Sequence, residues 1–176
     1  MILGAVLAGG QSTRFGSDKA LAEIGGRTLL SLAVDMLSGW CELVVVTGRE
    51  TAPARTVPDW PRAGMGPLGG LAAAMRLAAD EGYEAVLSCS VDAALLPEDL
   101  PVLLGKAPAC LSAQPVVGLW PTAALPQLEA LLSSPVVHSL KRFATMIGAR
   151  QVETASPIAN INTPADLAAL LPNEER

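Results

Sequence analysis

Two cations set among glycines are the first residues in this chain whose types and spacing suggest chemistry. The stretch Leu7-Ala8-Gly9-Gly10-Gln11-Ser12-Thr13-Arg14-Phe15-Gly16-Ser17-Asp18-Lys19 carries three glycines, Arg14 and Lys19. Glycines let backbone amides approach an anion closely and tolerate positive φ. Consecutive amides can form a concave anion nest. Arg14 and Lys19 add fixed positive charge, and a guanidinium can grip phosphate with two parallel hydrogen bonds. The chemistry suggested is phosphate binding. Two familiar phosphate loops do not fit. No Gly-Lys pair stands at the spacing of G-x-x-x-x-G-K-[ST], and Gly9-Gly10 followed by Gly16 breaks G-x-G-x-x-G. On glycines and cations alone, the stretch reads equally well as an ordinary strand-to-helix connection with exposed charges.

Three more strings carry candidate chemistry. Gly64-Met65-Gly66-Pro67-Leu68-Gly69-Gly70-Leu71 is a loop entering a helix, and a helix N-terminus can face an anion or a base. In Ser88-Cys89-Ser90-Val91-Asp92-Ala93-Ala94-Leu95-Leu96-Pro97, Asp92 closely follows an apolar run. An Asp there can ligate Mg²⁺, a hard cation that takes carboxylate and phosphate oxygens, or it can serve as a turn or cap residue. In Ala159-Asn160-Ile161-Asn162-Thr163-Pro164-Ala165-Asp166-Leu167, the two asparagines point the same way on an extended segment. Thr163 can cap a helix there, Pro164 suits its first position, and Asp166 meets its positive end. His138 is the only histidine, and neither a Ser-His-Asp triad nor a metal-histidine cluster can be built on it. Lys141 and Arg142 beside it read as a solvated helix face, with contact to an acceptor phosphate as the other reading.

These strings need elements to hold them. Ile2 to Leu7, Leu43 to Thr47 and Ala85 to Ser88 are short apolar runs that read as buried strands. Arg27 to Leu37 and Pro67 to Ala79 show helical apolar spacing. Gly48 to Met65, with three prolines, reads as loop. Pro97 to Leu104, Ala123 to Leu132 and Ser139 to Ile147 are further helix candidates, and Pro108 to Trp120 holds two short strands. Strand and helix alternate to about residue 105, which predicts one α/β domain over 1–176: a three-layer, mainly parallel, Rossmann-like sheet covered on both faces. Ligands of such sheets sit beyond the carboxyl ends of the strands, which points to 8–16, Thr47-Gly48 and Asp92.

Composition narrows the function classes. The 176 residues suffice for one sizeable core, and 51% are hydrophobic. A net charge of -5 disfavours nucleic-acid backbones but not one small anionic ligand. Cys41, Cys89 and Cys110 form no C-x-x-C pair and lie in apolar stretches, so buried, reduced thiols are expected. With no signal-peptide pattern and no apolar run of membrane-spanning length, the expected setting is the cytoplasm, away from membranes.

The string L-A-G-G-x-S-x-R-F-G-x-D-K-A-L resembles the signature of nucleotidyltransferases that activate sugars and cofactors, most closely the molybdenum cofactor guanylyltransferases. G-P-L-x-G-L and N-x-N-T-P-x-D-L resemble the same family. Its cytidylyltransferase relatives tend to open with A-A-G and lack the Gly-Pro-Leu run. The resemblance implies a fold of the nucleotide-diphospho-sugar transferase type. It implies transfer of GMP from GTP to the phosphate of molybdopterin, with or without its molybdenum, and release of pyrophosphate. It implies nucleotide-binding roles for Leu7, Ala8, Gly9, Gly10, Lys19, Thr47, Asp59, Gly66, Pro67, Leu68 and Asp92, and acceptor-binding roles for Asn160 and Asn162. Arg14, Lys19 and Asp92 would be catalytic, with Asp92 holding Mg²⁺. Molybdenum insertion proteins and molybdoenzyme chaperones are the protein partners it suggests. Two departures stand out: Val91 and Ala94 flank Asp92 where the family shows C-D-x-P, and Thr47 stands where relatives often have Asn. A cytidylyltransferase, a sugar-phosphate enzyme and a non-catalytic nucleotide-binding or chaperone protein are the alternatives.

Overall fold

A computed structural model describes residues 1–10, 16–91 and 95–170. The first strand, β1 (Ile2–Leu7), is central because both of its faces are apolar. Leu3, Ala5 and Leu7 turn to one core, and Val6 turns to the other. A strand buried on both faces needs helices on both sides, and the chain supplies them. On one side lie α1 (Leu29–Ser38) and α3 (Leu100–Leu104); on the other lie α2 (Gly66–Asp80), α4 (Leu125–Ser133) and α5 (Leu140–Met146).

The main sheet is completed by β4 (Leu43–Thr47), β5 (Arg55–Val57), β6 (Ala85–Ser90), β7 (Ala109–Leu111), β8 (Gly118–Pro121) and β9 (Arg150–Val152). Its order is β5-β4-β1-β6-β8-β7-β9. The pairs β5–β4, β4–β1 and β1–β6 are parallel, and so is β7–β9. Only β8 runs against its neighbours, β6 and β7. The expected mainly parallel three-layer α/β fold is the one observed. From β1 the chain moves outward to β4 and β5, then returns to place β6 on the other side of β1. That reversal opens a crevice at the carboxyl ends of β1 and β6, where such sheets hold ligands.

Several boundaries differ from expectation. Arg27 and Thr28 do not begin α1. They form β3 (Arg27–Thr28), paired with β2 (Glu23–Ile24) across Gly25-Gly26. Both glycines have positive φ, 57° and 78°, which suits a two-residue hairpin turn. Thr28 then caps α1, its Oγ1 accepting from the Ser31 N–H at 3.1 Å. The proline-rich loop contains β5, an edge strand where missing amide donors are tolerated. The last strand, β9, was not expected at all. Cys89 and Cys110 are buried, but Cys41 is only partly so. Burial still pushes the Cys41 and Cys89 thiols up to about 12, so neither is a ready nucleophile.

The core under α2, α4 and α5 has a polar anchor. Trp120 is fully buried and packs on Phe143 with ring centroids 5.4 Å apart. Its indole Nε1–H donates to Ser88 Oγ at 2.8 Å, and that hydroxyl donates to the Val116 carbonyl at 2.7 Å. Ser88→Ala leaves the indole N–H buried and unpaired. A loss of about 1–3 kcal/mol is expected, read as a lower urea midpoint at unchanged slope.

Candidate active site

The site is assembled by strand ends. Leu7, the last residue of β1, pairs with Thr47 at the end of β4 and with Ser90 at the end of β6. Three of the candidate segments therefore leave the sheet side by side. The Ala8 N–H donates to the Thr47 carbonyl at 3.0 Å, which extends the β1–β4 ladder by one residue and ties up that amide.

Beyond Ala8 the two loops pack backbone on backbone. A Cβ on Gly48 would lie 2.3 Å from Gly9 Cα, and Gly48 has φ +79°. The entry to α2 closes in from the other side. A Cβ on Gly70 would lie 2.4 Å from Thr47 Oγ1, and one on Gly69 would lie 2.5 Å from Met65 Cβ. Gly70 is thus what allows α2 to lie against the ends of β1 and β4, and Gly69 makes room for the Asp59-Trp60 segment. Leu68 faces the core and is buried there, while Gly66, Pro67 and Gly70 border a small notch.

That notch, about 20 Å³, is lined by Leu7, Gly9, Gly10, Thr47, Asp59, Gly66, Pro67 and Gly70. All of these except Gly70 are predicted nucleotide residues. Thr47 is almost fully buried in its wall. Desolvation pushes the Asp59 carboxyl above its ordinary range. The Trp60 N–H donates to the Gly69 carbonyl at 3.1 Å and fixes the segment carrying Asp59 against α2.

Lys19 opens a 3₁₀ turn, Lys19–Leu21, and is only 8% exposed. Asp18 caps this turn, with Oδ1 accepting the Ala20 N–H at 3.2 Å. The fourth string approaches the same lysine. Asp166 opens α6 (Pro164–Ala169) in a capping box with Thr163. Its Oδ2 accepts the Asn162 N–H at 2.9 Å and the Thr163 N–H at 2.8 Å. These contacts hold the Asp166 carboxyl below its ordinary range, first the Asn162 N–H and then Thr163, with the Lys19 charge also contributing. The Asn160–Asn162 segment is thereby anchored near the glycine-rich loop. Asn160 and Asn162 are exposed and Ile161 between them is buried, which is the expected alternation.

Asn160 also borders a cleft of about 300 Å³ with Ser90, Gln114, Pro115, Val116, Leu140 and Lys141. It lies on the β6–β8 side of β1, whereas the Asp59 notch lies on the β1–β4 side. A larger cleft, about 720 Å³, lies between α4 and α5, is bordered by Lys141 and Arg142, and gathers none of the four strings. His138 Nε2 sits 2.9 Å from the Ser134 carbonyl oxygen, a local structural contact.

Arg14 and Asp92 lie outside the described residues. Among the described residues no group of three or more His, Cys, Asp or Glu is placed to hold a metal ion. Mg²⁺ does not require such a cage, since it keeps several waters and takes one or two carboxylates plus substrate phosphates. A single carboxylate following β6 in the sequence fits that demand.

Sequence reasoning missed Arg49. It follows Gly48 and reaches Asp18 with two hydrogen bonds, 3.0 Å and 2.8 Å long. A lone arginine in a loop gives no signal in the sequence, because its partner is far along the chain. Gln114 was missed too; its Oε1 is buried without a hydrogen bond.

The chain is a nucleotidyltransferase by family: it belongs to the MobA-like NTP transferase domain family, which it matches over residues 4–153. A curated relative, the molybdenum cofactor guanylyltransferase of Acidiphilium cryptum (strain JF-5), is 40% identical over 93% of this chain and 91% of its own. The fold is shared with molybdopterin-guanine dinucleotide biosynthesis protein A from Archaeoglobus fulgidus (TM-score 0.64, 18% identity, 96% of each chain). It is equally shared with 2-C-methyl-D-erythritol 4-phosphate cytidylyltransferase from Thermus thermophilus (TM-score 0.61, 14% identity, 96% of this chain and 97% of that one). The fold alone therefore leaves the base open, and the close relatives carry that choice.

Proposed function

We propose that this protein transfers GMP from GTP to the phosphate of molybdopterin, with Mg²⁺ as the assisting cation and pyrophosphate as the second product. The observation that carries this reading is convergence. Four strings far apart in sequence meet along the carboxyl edge of one sheet, in a chain 40% identical to a guanylyltransferase of that cofactor.

The geometry supports a division of labour. The notch is too small for a whole nucleotide and suits one edge of it. Asp59 offers acceptor oxygens to nucleoside N–H or O–H donors, and the glycines of α2 let a planar ring approach. The phosphates then run over Gly9-Gly10 toward Lys19, with Arg14 as a second cation. The acceptor lies on the β6–β8 side, against Asn160 and Asn162. Its phosphate oxygen is already a nucleophile, so no general base is required. The protein's task is alignment at the α-phosphorus and neutralisation of the charge that develops there. Mg²⁺, held through Asp92, would supply Lewis-acid neutralisation of phosphate oxygens.

Among the described residues no helix is long and apolar enough to cross a membrane. A cytoplasmic enzyme of one domain over 1–176, handing its product to molybdoenzyme chaperones and receiving substrate from molybdenum insertion proteins, is the fuller reading. Thermal-shift titration with GTP, CTP, UTP and ATP in Mg²⁺ tests the base. A ligand bound only by the folded state raises the melting temperature, by about 2.7 kcal/mol of added stability at 100 times Kd. GTP is expected to give the largest shift; a larger one with CTP or UTP contradicts the guanine reading.

A further inference from the structure

We infer that Arg49 is a positioning residue of the phosphate loop, acting through Asp18 on Lys19. The inference rests on the nucleotide-binding reading above but on none of its acceptor chemistry.

The Arg49–Asp18 pair differs from three other arginine pairs. The arginines of the Arg27–Asp35, Arg55–Glu81 and Arg76–Glu129 pairs have side chains 45% exposed or more, whereas Arg49 is 18% exposed. Exposed pairs contribute little, and the Asp18 carboxylate is itself 45% exposed, so what the two-bond fork adds is chiefly fixed geometry. Both Nη atoms of Arg49 are engaged by Asp18, and its Nε is buried without a partner, so Arg49 is given over to this one contact.

The carboxylate it grips does two things. Asp18 Oδ1 caps the turn that Lys19 opens, so the orientation of Asp18 sets the orientation of that turn. Asp18 is also an anion next to the lysine meant for a triphosphate. Hydrogen bonds from Arg49, and its charge, hold the Asp18 carboxyl below its ordinary range. Pairing with Arg49 cancels an anion that would otherwise repel the phosphates. The arm is short and stiff, because Gly48, the residue before Arg49, packs on Gly9. The loops after β1 and β4 are thus joined twice, by glycine contact and by the arginine fork.

Calorimetric Kd values for GTP in Mg²⁺ test this. Arg49→Met is expected to weaken binding about tenfold, within the span of coupling between contacting residues. Arg49→Lys keeps the charge without the fork and should recover part of the loss. Asp18→Asn combined with Arg49→Met should also bind better than Arg49→Met alone, because the uncompensated anion is gone. In a Lys19→Met background, Arg49→Met should change Kd less than about twofold, which a merely structural role would not produce. Unchanged binding in Arg49→Met, or an equal loss with and without Lys19, overturns the inference. A variant too unstable to titrate is replaced by Arg49→Lys, for which full wild-type affinity together with wild-type affinity in Asp18→Asn overturns it as well. The same titrations with CTP separate the two claims: tighter wild-type binding of CTP contradicts the guanine reading, while the Arg49 effect is read from whichever nucleotide binds.

Discussion

Lys19→Met is expected to lower turnover with GTP by about 100-fold or more, the loss typical when a preorganised group facing developing charge is removed. Lys19 is the one cation of the glycine-rich string among the described residues, and it is almost fully buried at the start of a capped turn. A buried ammonium has lost much of its hydration, so the site must offer it an anion in return. Asp166 contributes, but its carboxylate is held mainly by the Asn162 N–H and by Thr163. The α6 cap is therefore expected to survive removal of Lys19. The loss falls where negative charge grows, on the transferred phosphoryl group and the departing pyrophosphate. The kcat should drop, and kcat/KM should drop further because Lys19 also grips the bound triphosphate, with a melting temperature close to wild type. Steady-state kinetics alongside a thermal melt decide it. A variant with normal kcat and raised KM would make Lys19 a ground-state binding residue only.

Gly48→Ala should damage stability and binding together. Its φ of +79° already disfavours a side chain, by about 1–2 kcal/mol. The larger effect is steric. The new Cβ would stand 2.3 Å from Gly9 Cα and 2.5 Å from Gly9 N, and backbone cannot swing aside as a side-chain tip can. The loops after β1 and β4 must part, which carries Gly9 away from Asp59 and Arg49 away from Asp18. A clear drop in melting temperature and at least about tenfold weaker GTP binding are expected, of the order that loop misplacement causes. Gly10→Ala is the control, since a Cβ there meets nothing within 4 Å among the described residues. Its melting temperature should stay at the wild-type value. Equal stability of the two variants would remove the glycine contact from the account.

The interior of the fold was legible in the sequence because burial writes itself into apolar runs. Ile2–Leu7, Leu43–Thr47 and Ala85–Ser90 are the three central parallel strands, and Ala8-Gly9-Gly10, Gly48 and Val91 follow directly on their ends. The edges were not legible. Arg55–Val57 and Arg150–Val152 are short and partly polar, because an edge strand needs only one good neighbour. The reversed direction of β8 leaves no mark in composition, since a buried strand reads alike in either direction. The same divide runs through the site. Lys19 was reached through a string that resembles a family, Asp59 through its position relative to that family, and Thr47 through the end of a strand. The contact between Gly9 and Gly48 and the Asp18–Arg49 fork join residues far apart along the chain, and only the folded sheet brings them together. Asn160 and Asn162 are intermediate: their alternation with Ile161 was readable, whereas the cleft that Asn160 shares with Gln114 and Lys141 was not.

The central claim is nucleotidyl transfer with guanine selected. Its most direct measurement is pyrophosphate release by the purified protein, with Mg²⁺ and molybdopterin as acceptor, for GTP and CTP in parallel. The predicted result is acceptor-dependent release with GTP, far slower release with CTP, and a product carrying GMP on the molybdopterin phosphate. Faster release with CTP, or GTP binding without any release, would contradict it.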